Sequence, residues 1–76
     1  MKTKKINILI TGGAGYIGSV LTNNLVNKNY QIFVIDNLER GYKFLLPKNC
    51  KFYKGDFSDI KILNKIFKNR IDVIIH

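Results

Sequence analysis

Seven residues, Gly12-Gly13-Ala14-Gly15-Tyr16-Ile17-Gly18, constrain this chain more than any other feature. They satisfy two overlapping patterns: Gly13, Gly15 and Gly18 fit G-x-G-x-x-G, and Gly12, Gly15 and Gly18 fit G-x-x-G-x-x-G. Either spacing has a physical reason. The first glycines permit a tight turn off a strand. Gly15 lets backbone N–H groups approach a pyrophosphate with no Cβ in the way, and Gly18 lets the following helix pack closely. A helix N-terminus after such a turn offers unpaired N–H donors and a partial positive charge to phosphates. A phosphate loop of the NTPase kind is excluded, because Ser19 stands where its lysine is required.

The flanking residues supply the context that the glycines alone lack. Ile6 to Thr11 is β-branched and almost continuously apolar, which predicts a strand buried on both faces, as in a parallel sheet. From Tyr16 the period changes. Ile17, Val20, Leu21 and Leu25 fall at helical spacing, predicting an amphipathic helix from Tyr16 to about Lys28, with Asn29 as its stop. Gln31 to Asp36 is a second buried strand, ending in an acid. Asn37 to Cys50 holds Gly41 and Pro47 and reads as an irregular connection with one helical turn. Lys51 to Lys54 predicts a third strand, closed by Gly55-Asp56. Ser58 is the expected N-cap of a second helix, with Asp59 favouring its positive end and Ile62, Leu63, Ile66 and Phe67 forming its apolar stripe to about Asn69. Ile71 to His76 predicts a fourth strand. Strands alternating with helices specify a parallel α/β sheet with right-handed crossovers.

Asp36 lies 18 residues beyond Gly18, close to the roughly 20 expected for an acid that accepts hydrogen bonds from a ribose in a dinucleotide site. A carboxylate there would repel a 2′-phosphate, favouring NAD over NADP, although Arg40 nearby could hold that phosphate.

The runs ILITGGAGYIGS, VIDNL and GDFSD together resemble the N-terminal half of an extended short-chain dehydrogenase/reductase, closest to the NAD-dependent sugar-nucleotide epimerases and dehydratases. The resemblance implies a Rossmann-type sheet of strand order 3-2-1-4 with two main helices. It implies that Gly12, Gly15 and Gly18 line the pyrophosphate, with Tyr16 and Ile17 donating backbone N–H groups. Asp36 would hold the adenosine ribose, with Asn37 and Leu38 beside it. Asp56 would bind the adenine amino group and Phe57 would lie against the ring. The likeness covers essentially the whole chain but only about the first quarter of such an enzyme. Residues 1–76 are therefore expected to form a partial NAD(P)-binding domain, an N-terminal fragment without the substrate domain.

Family members act through a Tyr-x-x-x-Lys pair. Here Tyr16, Tyr30, Tyr42 and Tyr53 are followed at that offset by Val20, Val34, Leu46 and Phe57. No catalytic residue is assigned, and the chain is expected to be inactive alone. A non-catalytic, stand-alone nucleotide-binding or regulatory module is the alternative.

Other classes fit less well. Hydrophobic residues at 46% argue against intrinsic disorder. One Cys and one His make neither a disulfide scaffold nor a zinc site. Cys50 reads as a small hydrophobe and His76 as a structural or frayed residue. Asp56, without the resemblance, reads as a turn acid capping nearby N–H groups. The net charge of +8 suits an anionic partner, but the lysines are scattered apart from Lys2, Lys4 and Lys5, a solvated surface rather than a patch. Tyr42, Phe44, Phe52, Tyr53 and Phe67 interleave with lysines, yet Phe52 and Phe67 fall on periodic core faces, so nucleic-acid binding is not expected. No run approaches a membrane span, and the N-terminal apolar run is too short for a secretory signal. A cytoplasmic protein is expected.

Overall fold

The computed structural model describes residues 5–26, 28–38 and 43–76. Strand β1 (Ile6–Thr11) leads through the glycine turn into helix α1 (Tyr16–Val26). Strand β2 (Tyr30–Asp36) follows, then a short 3-10 turn at Lys43–Leu45, strand β3 (Lys51–Lys54), helix α2 (Ile60–Ile66) and strand β4 (Val73–Ile75). The four strands form one sheet in the order β3-β2-β1-β4, and every pairing is parallel.

The core follows from the alternation of side chains along the two central strands. Ile8, Ile10, Ile32 and Val34 pack one face, where Leu21, Leu25 and Val26 of α1 cover them together with Phe52 and Cys50. Leu9, Phe33 and Ile35 pack the other face, where α2 contributes Ile62, Leu63 and buried Ile66. An interior parallel strand covered on both sides has no polar face, which is why β1 and β2 read as nearly continuous apolar runs, Ile8 to Ile10 and Ile32 to Ile35.

Helix α1 meets the sheet through only part of the face its hydrophobic spacing marks: Leu21 and Leu25 pack on the core, and Ile17 and Val20 do not. Ile17 is 81% exposed and Val20 is half-exposed, while Ser19 and Thr22 are buried. The cause is the closeness of helix and turn. A Cβ on Gly18 would fall on the Gly12 carbonyl oxygen and 2.9 Å from the Gly13 Cα. The inner face at that point has room only for small side chains. The buried hydroxyls bond back into their own helix, Ser19 Oγ to the Tyr16 carbonyl at 2.9 Å and Thr22 Oγ1 to the Gly18 carbonyl at 2.8 Å.

Smaller departures have similarly local causes. Helix α2 is capped by Asp59, not Ser58: its Oδ1 accepts from the Lys61 and Ile62 N–H groups at 3.1 and 3.3 Å. The helix stops at Ile66, and Phe67, one residue past it, is half-exposed rather than core. Strand β4 is shorter than its apolar run. Asp72, just before it, turns its carboxylate onto the Asn7 N–H at 2.8 Å and onto Arg70 Nε at 3.0 Å. Those bonds hold the Asp72 carboxyl below the usual carboxylate pKa, the Asn7 N–H first and Arg70 after it, against a smaller opposing effect of desolvation. Cys50 donates to the Pro47 carbonyl at 3.3 Å, and burial pushes its thiol pKa up. Arg40, Gly41 and Tyr42 lie outside the described residues.

Candidate functional site

All four strands run the same way, so their C-terminal ends share one edge of the sheet, where ligands bind in open α/β folds. The glycine turn after β1, the Asp36-Asn37 corner after β2, Gly55-Asp56-Phe57 after β3 and His76 after β4 surround one cleft there of about 340 Å³. Backbone hydrogen bonds carry the sheet into these turns: Gly12 N–H donates to the Ile35 carbonyl at 2.8 Å, and Gly55 N–H to the Asp36 carbonyl at 3.0 Å.

The turn itself needs its first glycine. Gly12 has φ of +70°, the left-handed region open to glycine at no steric cost. Its carbonyl accepts the Gly15 N–H at 3.2 Å, closing the turn. The Gly15 carbonyl then accepts the Ser19 N–H at 2.7 Å and starts α1. A glycine at this cap position has no side chain to satisfy the first helical amides. Among the described residues the N–H groups of Tyr16, Ile17 and Gly18 meet no acceptor, and no acidic side chain sits in the first turn. An unscreened helix N-terminus of this kind attracts an anion.

Asp36 is 8% exposed and joins β2 to the turn. Its Oδ2 accepts the buried Ala14 N–H at 2.9 Å, and its Oδ1 accepts the Leu38 N–H at 2.7 Å. The carboxyl thus stands on the same side of the sheet edge as the three glycines. Leu38 has φ of +64°, an uncommon conformation for a branched side chain, and the Asp36 bond to its N–H holds it there.

Of the residues singled out in the sequence, Gly12, Asp36, Asn37, Asp56 and Phe57 line the cleft. Gly15, on the turn, and Tyr16, Ile17 and Gly18, at the start of α1, are not among the residues that line it, and Leu38 is tied to Asp36. Among the described residues the Asp56 carboxylate caps no N–H group; the α2 cap is Asp59, whose N–H donates to the Asp56 carbonyl at 2.9 Å. Thr11, Ile35, Gly55 and His76 also line the cleft, and the sequence reading passed over them in that role. His76 Nδ1 and Thr11 Oγ1 share a hydrogen bond of 2.8 Å, and the imidazole packs at 48° against Phe57, ring centres 5.5 Å apart. Strand pairing could have placed Thr11 and Ile35, since Thr11 ends β1 and Ile35, next to last in β2, lies opposite it. His76 and Thr11 are 65 residues apart and carried no local signal. Among the described residues no group of three metal-ligating side chains occurs, and no helix is long and apolar enough to cross a membrane.

Comparison with known proteins agrees with this fold. A UDP-glucose 4-epimerase of Streptomyces lividans is 39% identical over 70 residues, covering 90% of this chain and 21% of that protein. The UDP-glucose 4-epimerase of Thermotoga maritima, solved with UDP-glucose, superposes with a TM-score of 0.85 at 37% identity over 91% of this chain and 23% of its own. That of Bifidobacterium longum, solved with NAD+ and UDP, gives 0.82 at 32% identity over 92% and 23%. The chain therefore spans between a fifth and a quarter of the length of these relatives. The sequence pattern of the NAD dependent epimerase/dehydratase family matches residues 8–76, and this chain belongs to that family.

Proposed function

We propose that these 76 residues bind the adenosine diphosphate half of NAD, as the cofactor-binding segment of a nucleotide-sugar epimerase or dehydratase. The observation that carries the reading is the bond between Asp36 and Ala14, which brings a ribose-binding type of acid against a glycine turn that opens a helix. The cleft fits the group chemically. The pyrophosphate would lie along Gly12, Gly15 and Gly18 and accept hydrogen bonds from the Tyr16 and Ile17 N–H groups. Asp36 would accept from the adenosine ribose hydroxyls, with Asn37 and Leu38 beside it. Asp56 would take the adenine amino group, and Phe57 would cover the ring. Two acidic side chains around the cleft, Asp36 and Asp56, disfavour a further phosphate and thus NADP.

NAD bound here would supply hydride acceptance and return at a sugar carbon. The protein's own part is binding and orientation. Nothing among these residues supplies the acid–base partner, since no Tyr-x-x-x-Lys pair occurs in the sequence. The nicotinamide and the sugar would rest on residues beyond this segment, and the 76 residues alone would bind without turnover. The lone cysteine fits a reducing, cytoplasmic setting. A stand-alone nucleotide sensor would use the same cleft, but the half-exposed apolar side chains of β4 weigh against it.

Calorimetric titration with NAD tests the proposal. Saturable binding that ADP-ribose competes away, with NADP weaker, is the expected result. No NAD binding by a folded chain overturns it. Epimerisation of a UDP-sugar by the 76 residues with added NAD overturns the claim of inactivity.

A further inference from the structure

Asp36 does more in this structure than stand ready for a ribose. Its two oxygens each hold a backbone N–H from a different loop, Ala14 at 2.9 Å and Leu38 at 2.7 Å. Ala14 is fully buried in the middle of the glycine turn, where its N–H has this carboxyl as its acceptor. A buried N–H without an acceptor is costly, so the turn depends on Asp36 for its shape. Leu38 is held in left-handed backbone by the same group. An ionised carboxyl has about four lone-pair positions, so these two bonds leave room for a diol.

We infer that Asp36 is the positioning residue of the pyrophosphate turn: by holding Ala14 and Leu38 together it sets the turn geometry that aims the first amides of α1 at a diphosphate, apart from any contact with the ribose. This inference rests on the dinucleotide reading above.

The two roles predict opposite signs for a ligand that has no ribose. As a nearby negative charge, Asp36 repels inorganic pyrophosphate, so its removal should tighten binding, and more so at low salt, where screening is weak. As the residue that shapes the turn, its removal should weaken binding at every salt concentration. The experiment titrates the full chain and its Asp36→Ala and Asp36→Asn variants with inorganic pyrophosphate and with NAD, at low and high salt. Thermal unfolding and hydrogen exchange of the Ala14 amide are measured alongside.

The expected result is pyrophosphate affinity lowered by about tenfold or more in Asp36→Ala, the order of one lost charge-assisted hydrogen bond, with Ala14 exchange accelerated. Asp36→Asn, nearly isosteric and keeping one acceptor oxygen, should fall between, and it decides the matter if the alanine variant does not fold. Unchanged or tighter pyrophosphate binding with only NAD weakened overturns the inference and leaves the dinucleotide reading standing. So does an Ala14 amide that exchanges in the wild type as fast as an exposed loop amide. A folded wild type that binds neither ligand overturns both.

Discussion

At Gly18 a single methyl group decides whether helix and turn can touch. An alanine Cβ there would meet backbone, the Gly12 carbonyl and Gly13 Cα, and backbone cannot swing aside as a side-chain tip can. At Gly15 the same methyl would find its nearest neighbour, the Gly12 oxygen, at 3.5 Å, an ordinary contact. The two substitutions should therefore separate folding from binding. Gly18→Ala is expected to cost about 1–3 kcal/mol by overpacking. For a domain of this size that lowers the melting temperature by about 4–8 °C per kcal/mol. Gly15→Ala is expected to cost less than about 1 kcal/mol of stability. If a pyrophosphate lies on the turn, it should nonetheless weaken NAD binding severely, since the methyl projects where the phosphates approach. Thermal melts and NAD titrations of the two variants check this; equal losses of stability in both would refute it.

Among the elements, β4 is the shortest strand and is fastened at both ends by side chains. Asp72 grips Asn7 at its start, where the Asp72 N–H also donates to the Asn7 carbonyl at 2.9 Å, and His76 meets Thr11 at its end. The Asp72 clasp gives a pH dependence of known sign. Its carboxyl titrates below the ordinary value in the fold, chiefly because the Asn7 N–H bonds the charged form. The stabilisation is therefore complete above the unfolded value of about 3.9 and is lost as pH falls through the lower folded value. Denaturant unfolding of wild type and Asp72→Ala should differ by a constant amount at neutral pH. The gap should close only below about pH 4; a gap that persists unchanged into strong acid would refute the clasp. The elements themselves were legible to different degrees for physical reasons. Strands β1 and β3 match their predicted limits, and a glycine turn stops each of them, Gly12 after β1 and Gly55 after β3. The order 3-2-1-4 was likewise legible, through the family resemblance. The inward face of α1 was legible only in part: Leu21 and Leu25 pack on the sheet as their spacing predicts, but Ser19 and Thr22 take the positions nearest the turn for want of room beside Gly18, and hydrophobic spacing carries no record of a steric limit. The α2 cap moved by one residue because Ser58 and Asp59 are adjacent and both can cap. In the cleft, Asp36 was legible from its distance to the glycines. Its bonds to Ala14 and Leu38 were not, because they depend on how two turns meet in space.

For the molecule as a whole, the balance lies between charge and an apolar edge. In β4, Val73 and Ile74 pair with Ile8 and Leu9, which belong to opposite faces of the sheet, so the strand presents apolar side chains on both. They are 43% and 47% exposed, and among the described residues no strand pairs with the outer edge of β4. Such an edge invites another strand, and it lacks the lysine that usually guards one. Against this stands the net charge of +8, which keeps copies apart. Salt decides which prevails. At about 0.01 M the Debye length is roughly 30 Å, and two copies repel before their edges meet. At about 0.15 M it is roughly 8 Å, and the repulsion no longer reaches across the approach. A polypeptide of these 76 residues should therefore stay monomeric at low salt and self-associate as salt is raised. Ile74→Lys should abolish that association with little change in melting temperature, because the side chain it replaces is already half in water. Sedimentation velocity across a salt series measures this directly. Association that weakens with salt, or that survives Ile74→Lys, would place the contact elsewhere on the surface.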